Sequence, residues 1–334
     1  MILAPDSNKL SPITGRLLLA SLLLFVCTSG SLQLLGKQKS TGPDDQARIA
    51  VTANLVLLPV KVTNGRGTFV SGLKLQDFRV YEDGKLQDLT VFEDEDTPVT
   101  VGLVVDHSRS MGSKLPGVVI AVSFFAHSSN PQDEMFVVDF NDDVSIELMR
   151  GKAFSNDAKD LEEALTAVSA RGRTALYDAV SEGLHHLQYG RWGKKALVVI
   201  SDGGDNASHL KYSQVLAQAR RSQALIYSVA LLGASGEEED PRVLLKLSKD
   251  TGGIAYFPKP AERVADISKE IARDLREQYT IGYVPRKMGS ADSFRKIQVK
   301  IAAPNRDKLR VRTRLGYLPV SEKQTSVQSS STSK

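Results

Sequence analysis

The stretch Asp106-His107-Ser108-Arg109-Ser110 sets a carboxylate and two hydroxyls at alternating positions. It follows directly on the valine-rich apolar run Val99 to Val105, which reads as a buried strand of a parallel sheet. The three oxygen-bearing side chains therefore fall on the loop at that strand's carboxyl end, ahead of a helical stretch that starts near Ser113. Ligands of open α/β sheets bind at this edge. Thr174 has a similar setting, in Arg171-Gly172-Arg173-Thr174-Ala175-Leu176 just before a helix. So does Asp202, at the end of a second apolar run that begins at Ala196. A curled loop can turn Asp106, Ser108 and Ser110 inward together. With Thr174 and Asp202 they make a set of hard oxygen ligands suited to a divalent cation such as Mg²⁺. Only two of these groups are carboxylates, so a bound ion keeps positive character and attracts an acidic group from a partner.

The elements that must position these groups alternate. From Thr97 to about Arg276, strand-like runs (Val99–Asp106, Met135–Asp139, Ala196–Ser201, Leu225–Leu231, Ile254–Phe257) are interleaved with helix-like ones near 114–127, 157–168, 175–187, 213–222, 242–249 and 261–277. Alternation of this kind predicts a mostly parallel sheet with helices on both faces. Val144–Met149 adds one antiparallel edge strand through a tight turn at Asn141-Asp142-Asp143.

On either side the signals are strand and turn. Val56, Leu58, Val60 and Val62 recur with period two and end at an Asn64-Gly65 turn. Thr68-Phe69-Val70, Phe78–Glu82 and Leu86–Phe92 follow, with Asp83-Gly84 as a hairpin signal. After Glu277, strands are expected at Tyr279–Val284, Phe294–Ile301 and Leu309–Tyr317. Three strands alone make a weak domain, so residues 49–96 and 277–320 are expected to join as one β-sandwich-like domain into which the α/β unit, 97–276, is inserted. Two separate small β-domains are the alternative.

At this point the chain resembles a known family. Asp106, Ser108 and Ser110, then a distant Thr174, then a distant Asp202, reproduce in order the metal-ion-dependent adhesion site of von Willebrand factor type A (vWA) domains, relatives of integrin I domains. The resemblance implies an α/β fold with a doubly wound, Rossmann-like sheet. It implies direct coordination of Mg²⁺ or Mn²⁺ by Ser108 and Ser110, with Thr174 joining in the ligand-bound state and Asp106 and Asp202 acting largely through water. It also implies a protein partner whose Glu or Asp completes the shell, and a shift of the last helix on binding. More weakly, Asp77-Phe78-Arg79-Val80-Tyr81-Glu82-Asp83-Gly84 resembles flanking strands of bacterial exported proteins that carry this domain.

Neighbouring groups read more plainly. His107, at an x position of the motif, is expected at the surface or rim. Asp205 and Asn206 are expected as solvated loop residues, and Asp139, Asn141 and Asp142 as part of a turn. Leu176 and Tyr177 read as core. His185 and His186 are adjacent on a helix and face apart, which is poor spacing for zinc. Glu237-Glu238-Glu239-Asp240 suits an exposed loop ahead of a helix N-terminus. Arg310, Arg312 and Arg314 alternate as on one solvated strand face, with a phosphate-binding stripe as the alternative.

The N-terminus bears on location. Leu17 to Cys27 is an apolar stretch preceded by Lys9 and Arg16 and followed by small residues, the order of a signal peptide. Its length, about eleven residues, is short of the roughly 18–20 that span a bilayer. Residues 1–36 are expected to be a signal peptide, with a retained membrane anchor or lipidation at Cys27 as alternatives. Residues 37–48 read as a linker and 321–334 as a disordered tail. Export to the periplasm, cell envelope or medium follows from this reading.

The 334-residue chain has 43 basic and 39 acidic residues, a net charge of +4 that gives no argument for nucleic acid. One cysteine excludes an intramolecular disulfide. A hydrolase on a similar sheet would need a nucleophile or general base beside the ion. Asp106 is followed by Ser108 rather than by a second Asp, no cysteine or well-placed histidine stands beside it, and a Walker-type phosphate loop is absent. The expectation is therefore not an enzyme but a metal-dependent protein-binding module, with a structural subunit of an envelope assembly as the alternative.

Overall fold

The computed structural model describes residues 55–319 apart from 95, 149–150, 234–238, 260–262, 287–292 and 303–307. The expected signal peptide or anchor, the linker and the C-terminal tail lie outside the described residues. The first flank contributes β1 (Val56–Thr63), β2 (Phe78–Glu82), β3 (Lys85–Leu86) and β4 (Leu89–Glu93). The α/β unit runs β5 (Val99–Asp106), α1 (Leu115–Ser128), β6 (Glu134–Phe140), β7 (Val144–Glu147), α2 (Ala158–Thr166), α3 (Leu176–His186), β8 (Lys194–Ser201), α4 (Tyr212–Arg221), β9 (Leu225–Ala230), α5 (Pro241–Thr251), β10 (Ala255–Tyr256) and α6 (Val264–Arg276). The second flank contributes β11 (Tyr279–Tyr283), β12 (Arg295–Ile301), β13 (Arg310–Arg312) and β14 (Gly316–Tyr317).

The six-stranded central sheet has the order β10-β9-β8-β5-β6-β7. All neighbours are parallel except β7, which is antiparallel to β6. Every residue of β5 is buried, as a strand covered on both faces must be. Val99, Val101, Leu103 and Val105 pack with α1, α2 and α6, whereas Val104 packs with α3, α4 and α5. Full burial of each such side chain contributes about 1.5–3 kcal/mol. Gly102 lies on the Val104 side, where a Cβ would stand 2.5 Å from the Phe136 ring and 2.6 Å from Leu197. This is the α/β, doubly wound architecture expected from the alternating sequence pattern.

The flanks form two four-stranded sheets, β13-β1-β11-β4 and β14-β12-β2-β3. Each mixes strands from before and after the α/β unit: β1 pairs antiparallel with β11 and β13, and β2 with β12. One core serves both sheets, with Leu58, Val60, Phe78, Val80, Tyr279, Ile281, Ile297 and Val299 among its members. Glu82 ties them at one end. It pairs with Arg295 at 2.6 Å and accepts hydrogen bonds from Tyr283 of the opposite sheet (2.7 Å) and from Tyr317 (2.9 Å).

Two expected strands are each split between sheets. Leu86–Phe92 divides: the Gln87 N–H extends the β2–β3 ladder by donating to the Val80 carbonyl, while from Leu89 on the chain pairs as β4 with β11. Leu309–Tyr317 divides into β13, on β1, and β14, on β12. Thr68–Val70 makes only a bridge, Thr63 to Phe69. The arginines at 310–314 do not share one solvated face. Arg310 is exposed, but Arg312 pairs with Asp274 and donates to the Gly252 carbonyl. Arg314 is 2% exposed and donates to the carbonyls of Gly316 and Arg220, and burial pushes its pKa down to about 10.

The α/β unit and the sandwich meet at Asp274, near the end of α6. Lys61 of β1 lies 3.1 Å from it, Arg312 of β13 pairs with it, and the Tyr227 hydroxyl of β9 donates to it at 2.6 Å. Burial alone would raise the Asp274 pKa, but Arg312 and Lys61 hold it below the usual carboxylate value. Among the described residues no helix is long and apolar enough to cross a membrane.

Candidate metal centre

Strand β5 has β6 on one side and β8 on the other. The chain leaves β5 for α1 on one face of the sheet and leaves β8 for α4 on the other. The loops beyond β5 and β8 therefore diverge and open a crevice at the carboxyl edge. Asp106 closes β5, and Asp202 follows the last residue of β8.

Asp106 is fully buried. Its Oδ1 accepts the Ser108 backbone N–H at 2.8 Å, and its Oδ2 accepts the Ser201 hydroxyl at 2.7 Å. Burial pushes its pKa up to about 6 against the pull of these hydrogen bonds. The Ser110 hydroxyl donates to Asp202 Oδ2 at 2.7 Å, and the Ser108 and Ser110 hydroxyl oxygens lie 3.1 Å apart. Asp106, Ser108, Ser110 and Asp202 are thus linked in one hydrogen-bonded chain, with Ser110 its exposed member.

Thr174 is buried on the adjoining loop. That loop is laced to the motif by the Arg171 N–H on the His107 carbonyl (2.9 Å) and the Arg109 N–H on the Gly172 carbonyl (3.3 Å). Among the described residues no hydrogen bond joins the Thr174 hydroxyl to the other four groups. Its backbone is fixed instead by Asn206, whose Oδ1 accepts the Thr174 N–H at 2.9 Å and whose own N–H donates to the Thr174 carbonyl at 3.0 Å.

The supporting residues depart from their sequence readings. Asn206 positions Thr174. Asp205 is half-buried and accepts from the Tyr177 N–H at 3.2 Å and the Ser208 hydroxyl at 2.5 Å. His107 is buried beneath the motif rather than at its rim, where it pairs with Asp139 and contacts the Leu165 carbonyl at 3.1 Å. Asp139 therefore does more than shape a turn. Lys114, absent from the sequence reading of the site, sits 3.9 Å from Asp202 and donates to the Leu231 carbonyl at 2.5 Å. Apart from the Asp205–Ser208 bond, each of these contacts joins segments distant along the chain, so no local sequence signal marks them. Two glycines permit the close approach of loops. Gly172, at φ +70°, would carry a Cβ 1.7 Å from the Asp142 carboxylate, and Gly203, at φ +88°, one 2.8 Å from the Asp240 carbonyl.

Chemically the cluster is all oxygen. Among the described residues no group of three or more His, Cys, Asp or Glu could hold a metal ion, so any ion here depends on hydroxyls. Ser110 donates its proton to Asp202 and accepts from Ser108, which leaves it a lone pair for a cation. Two carboxylates and two convergent hydroxyls, open to solvent at Ser110, fit a hard divalent ion that retains several waters.

The sequence profile of the von Willebrand factor type A domain matches residues 100–270, about half of the chain, and the chain belongs to that family. No curated protein matches it. Among solved structures, a von Willebrand factor type A protein from Catenulispora acidiphila is similar over 81% of this chain and 76% of its own, with 11% identity and a TM-score of 0.47. An aerotolerance-related membrane protein from Bacteroides fragilis is similar over 53% of this chain and 98% of its own, with 15% identity and a TM-score of 0.43. BatB from Bacteroides thetaiotaomicron is similar over 53% and 98%, with 18% identity and a TM-score of 0.41.

Proposed function

We propose that this protein is an exported binding module that holds Mg²⁺ or Mn²⁺ through Asp106, Ser108, Ser110, Thr174 and Asp202 and captures an acidic side chain of a protein partner. The observation that carries the reading is the linkage of Ser108 and Ser110 to Asp202, beside a buried Asp106, at the crevice where the loops after β5 and β8 diverge. Two carboxylates balance the charge of a divalent ion without surplus, so an anionic outside ligand still gains by binding it. A hydrolytic role fits less well. The histidine nearest the site, His107, is buried between Asp139 and the Leu165 carbonyl and cannot serve as a base at the ion. Export rests on the apolar stretch Leu17 to Cys27 with its flanking charges, and a membrane tether at that end remains compatible with it.

Calorimetric titration of Mg²⁺ or Mn²⁺ into the protein tests the metal site. Saturable one-site uptake is expected, abolished in Asp106→Ala and weakened in Thr174→Ala, with both variants retaining the far-UV spectrum of the folded sheet. Equal uptake by wild type and Asp106→Ala would reject the assignment. Partner capture from an envelope extract in Mg²⁺ but not in chelator, lost in Asp106→Ala, tests the binding role.

A further inference from the structure

The mouth of the crevice carries charge that metal binding leaves unused. Arg109 stands between Ser108 and Ser110 in the motif, and Arg171 stands on the loop that leads to Thr174. Both are exposed. The two backbone hydrogen bonds that lace these loops, Arg171 to His107 and Arg109 to Gly172, hold the arginines on adjoining segments beside the site. Arg173, the third arginine of this rim, is already occupied. Its Nε lies 3.0 Å from Asp142 Oδ1, and its Nη1 donates to the Asn206 carbonyl at 3.3 Å. Among the described residues neither Arg109 nor Arg171 forms an ion pair, although many other arginines do, including Arg191 with Glu134, Arg220 with Asp250 and Arg276 with Asp96.

Charge balance shows what such a rim accepts. A divalent ion offsets Asp106 and Asp202. Lys114, Arg109 and Arg171 then add positive charge beside it. One carboxylate from a ligand, placed on the ion, does not neutralise them. A second carboxylate beside the first would meet guanidinium groups that bind carboxylates in a planar, bidentate fashion. On an extended segment, residues two apart share a face and lie about 7 Å from one another, a span suited to bridging adjacent loops.

We propose that the partner segment carries at least two acidic side chains on one face, one completing the ion's shell and the other held by Arg109 and Arg171. This rests on the metal-site reading above.

The test uses two fluorescein-labelled peptides, Gly-Ser-Gly-Glu-Gly-Ser-Gly and Gly-Ser-Gly-Glu-Gly-Glu-Gly, titrated with the protein in Mg²⁺ and in chelator, with Mg²⁺ uptake measured separately by calorimetry. Wild type is expected to bind the two-Glu peptide about five-fold or more tightly than the one-Glu peptide, in Mg²⁺ only. In Arg109→Gln/Arg171→Gln the preference should fall below about two-fold, while Mg²⁺ affinity is unchanged or tighter. The proposal is overturned if wild type shows no preference, if the double variant keeps it, or if neither peptide binds to protein that takes up Mg²⁺ normally. Failure of Mg²⁺ uptake itself would remove the metal reading and this proposal together.

Discussion

The imidazole of His107 is held between the Asp139 carboxylate at Nδ1 and the Leu165 carbonyl, 3.1 Å from Nε2. Burial alone would lower the histidine's pKa, but Asp139 outweighs it and holds it above the ordinary value. The pair joins the end of β6 to the first loop of the metal centre and so fixes the floor on which Ser108 stands. Asp139→Asn removes the carboxylate partner of a buried histidine. A loss of about 3–5 kcal/mol is expected, the usual cost of breaking a buried pair from one side. Urea unfolding of the two proteins measures it. A change below about 1 kcal/mol would mean that the pair acts like an exposed one.

Asn206 grips Thr174 from both sides of its peptide unit. Its substitution removes the acceptor of the Thr174 N–H and so probes the orientation of that residue. Loss of a group that orients a ligand typically costs 10–100-fold in metal affinity. Asn206→Ala is expected at the lower end, about ten-fold, because Thr174 is one neutral ligand among several. Calorimetric Mg²⁺ titration reads the change. If Thr174→Ala and the double variant Asn206→Ala/Thr174→Ala give the same affinity, Asn206 acts through Thr174; additive losses would show an independent role.

Lys114 introduces a cation into the site itself. Its ammonium lies 3.9 Å from Asp202 Oδ2, its side chain is 13% exposed, and the Leu231 carbonyl anchors it. A divalent ion at Asp202 meets this charge at short range, and repulsion between charges a few ångströms apart amounts to several kcal/mol at an effective dielectric of about 20. Lys114→Met keeps most of the aliphatic stem and removes the charge. Mg²⁺ should bind about ten-fold or more tightly to the variant. Weaker binding would show that the ammonium serves to hold Asp202 in place.

The α/β class was legible because the central strands carry apolar runs and most helices their own period, although α1 is apolar almost all round. Asp106 and Asp202 could be named because each terminates a run of buried residues, where the sheet's geometry dictates a loop. Contacts set by proximity in space were not legible. His107 reads as a rim residue because it lies between hydrophilic neighbours, yet the backbone turns its ring under β6. Asn206 reads as solvated because nothing near it in sequence shows that Thr174 arrives alongside. The β3/β4 and β13/β14 divisions escaped for a related reason. An alternating apolar pattern specifies which face is inward, but both sandwich sheets bury inward faces in one core, so the pattern is the same whichever sheet a segment joins. Arg312 and Arg314 alternate like solvated residues, while their partners, Asp274 and the carbonyls of Gly316 and Arg220, come from the junction of the two parts of the fold.

Lys194 gives the fold a pH signature remote from the metal centre. It begins β8, is buried, and donates to the Leu275 carbonyl of α6. Burial pushes its pKa down from 10.5 to about 8, against the opposing pull of Asp96, Asp133, Asp274 and Glu93. Below about pH 8 the ammonium is protonated in both folded and unfolded chains, and its burial is a standing penalty on the fold. Between pH 8 and 10.5 the folded protein releases this proton while the unfolded chain keeps it. The unfolded state then binds more protons, so stability rises with pH across that window. Each pKa unit corresponds to about 1.4 kcal/mol, so the rise is on the order of 3 kcal/mol. Other groups titrate in the same range, and Lys194→Met separates them. The difference in urea-unfolding free energy, wild type minus variant, should increase from pH 7.5 to pH 10.5 and be flat between pH 6 and 7.5. A difference that stays constant over the whole range would show that Lys194 titrates alike in folded and unfolded chains.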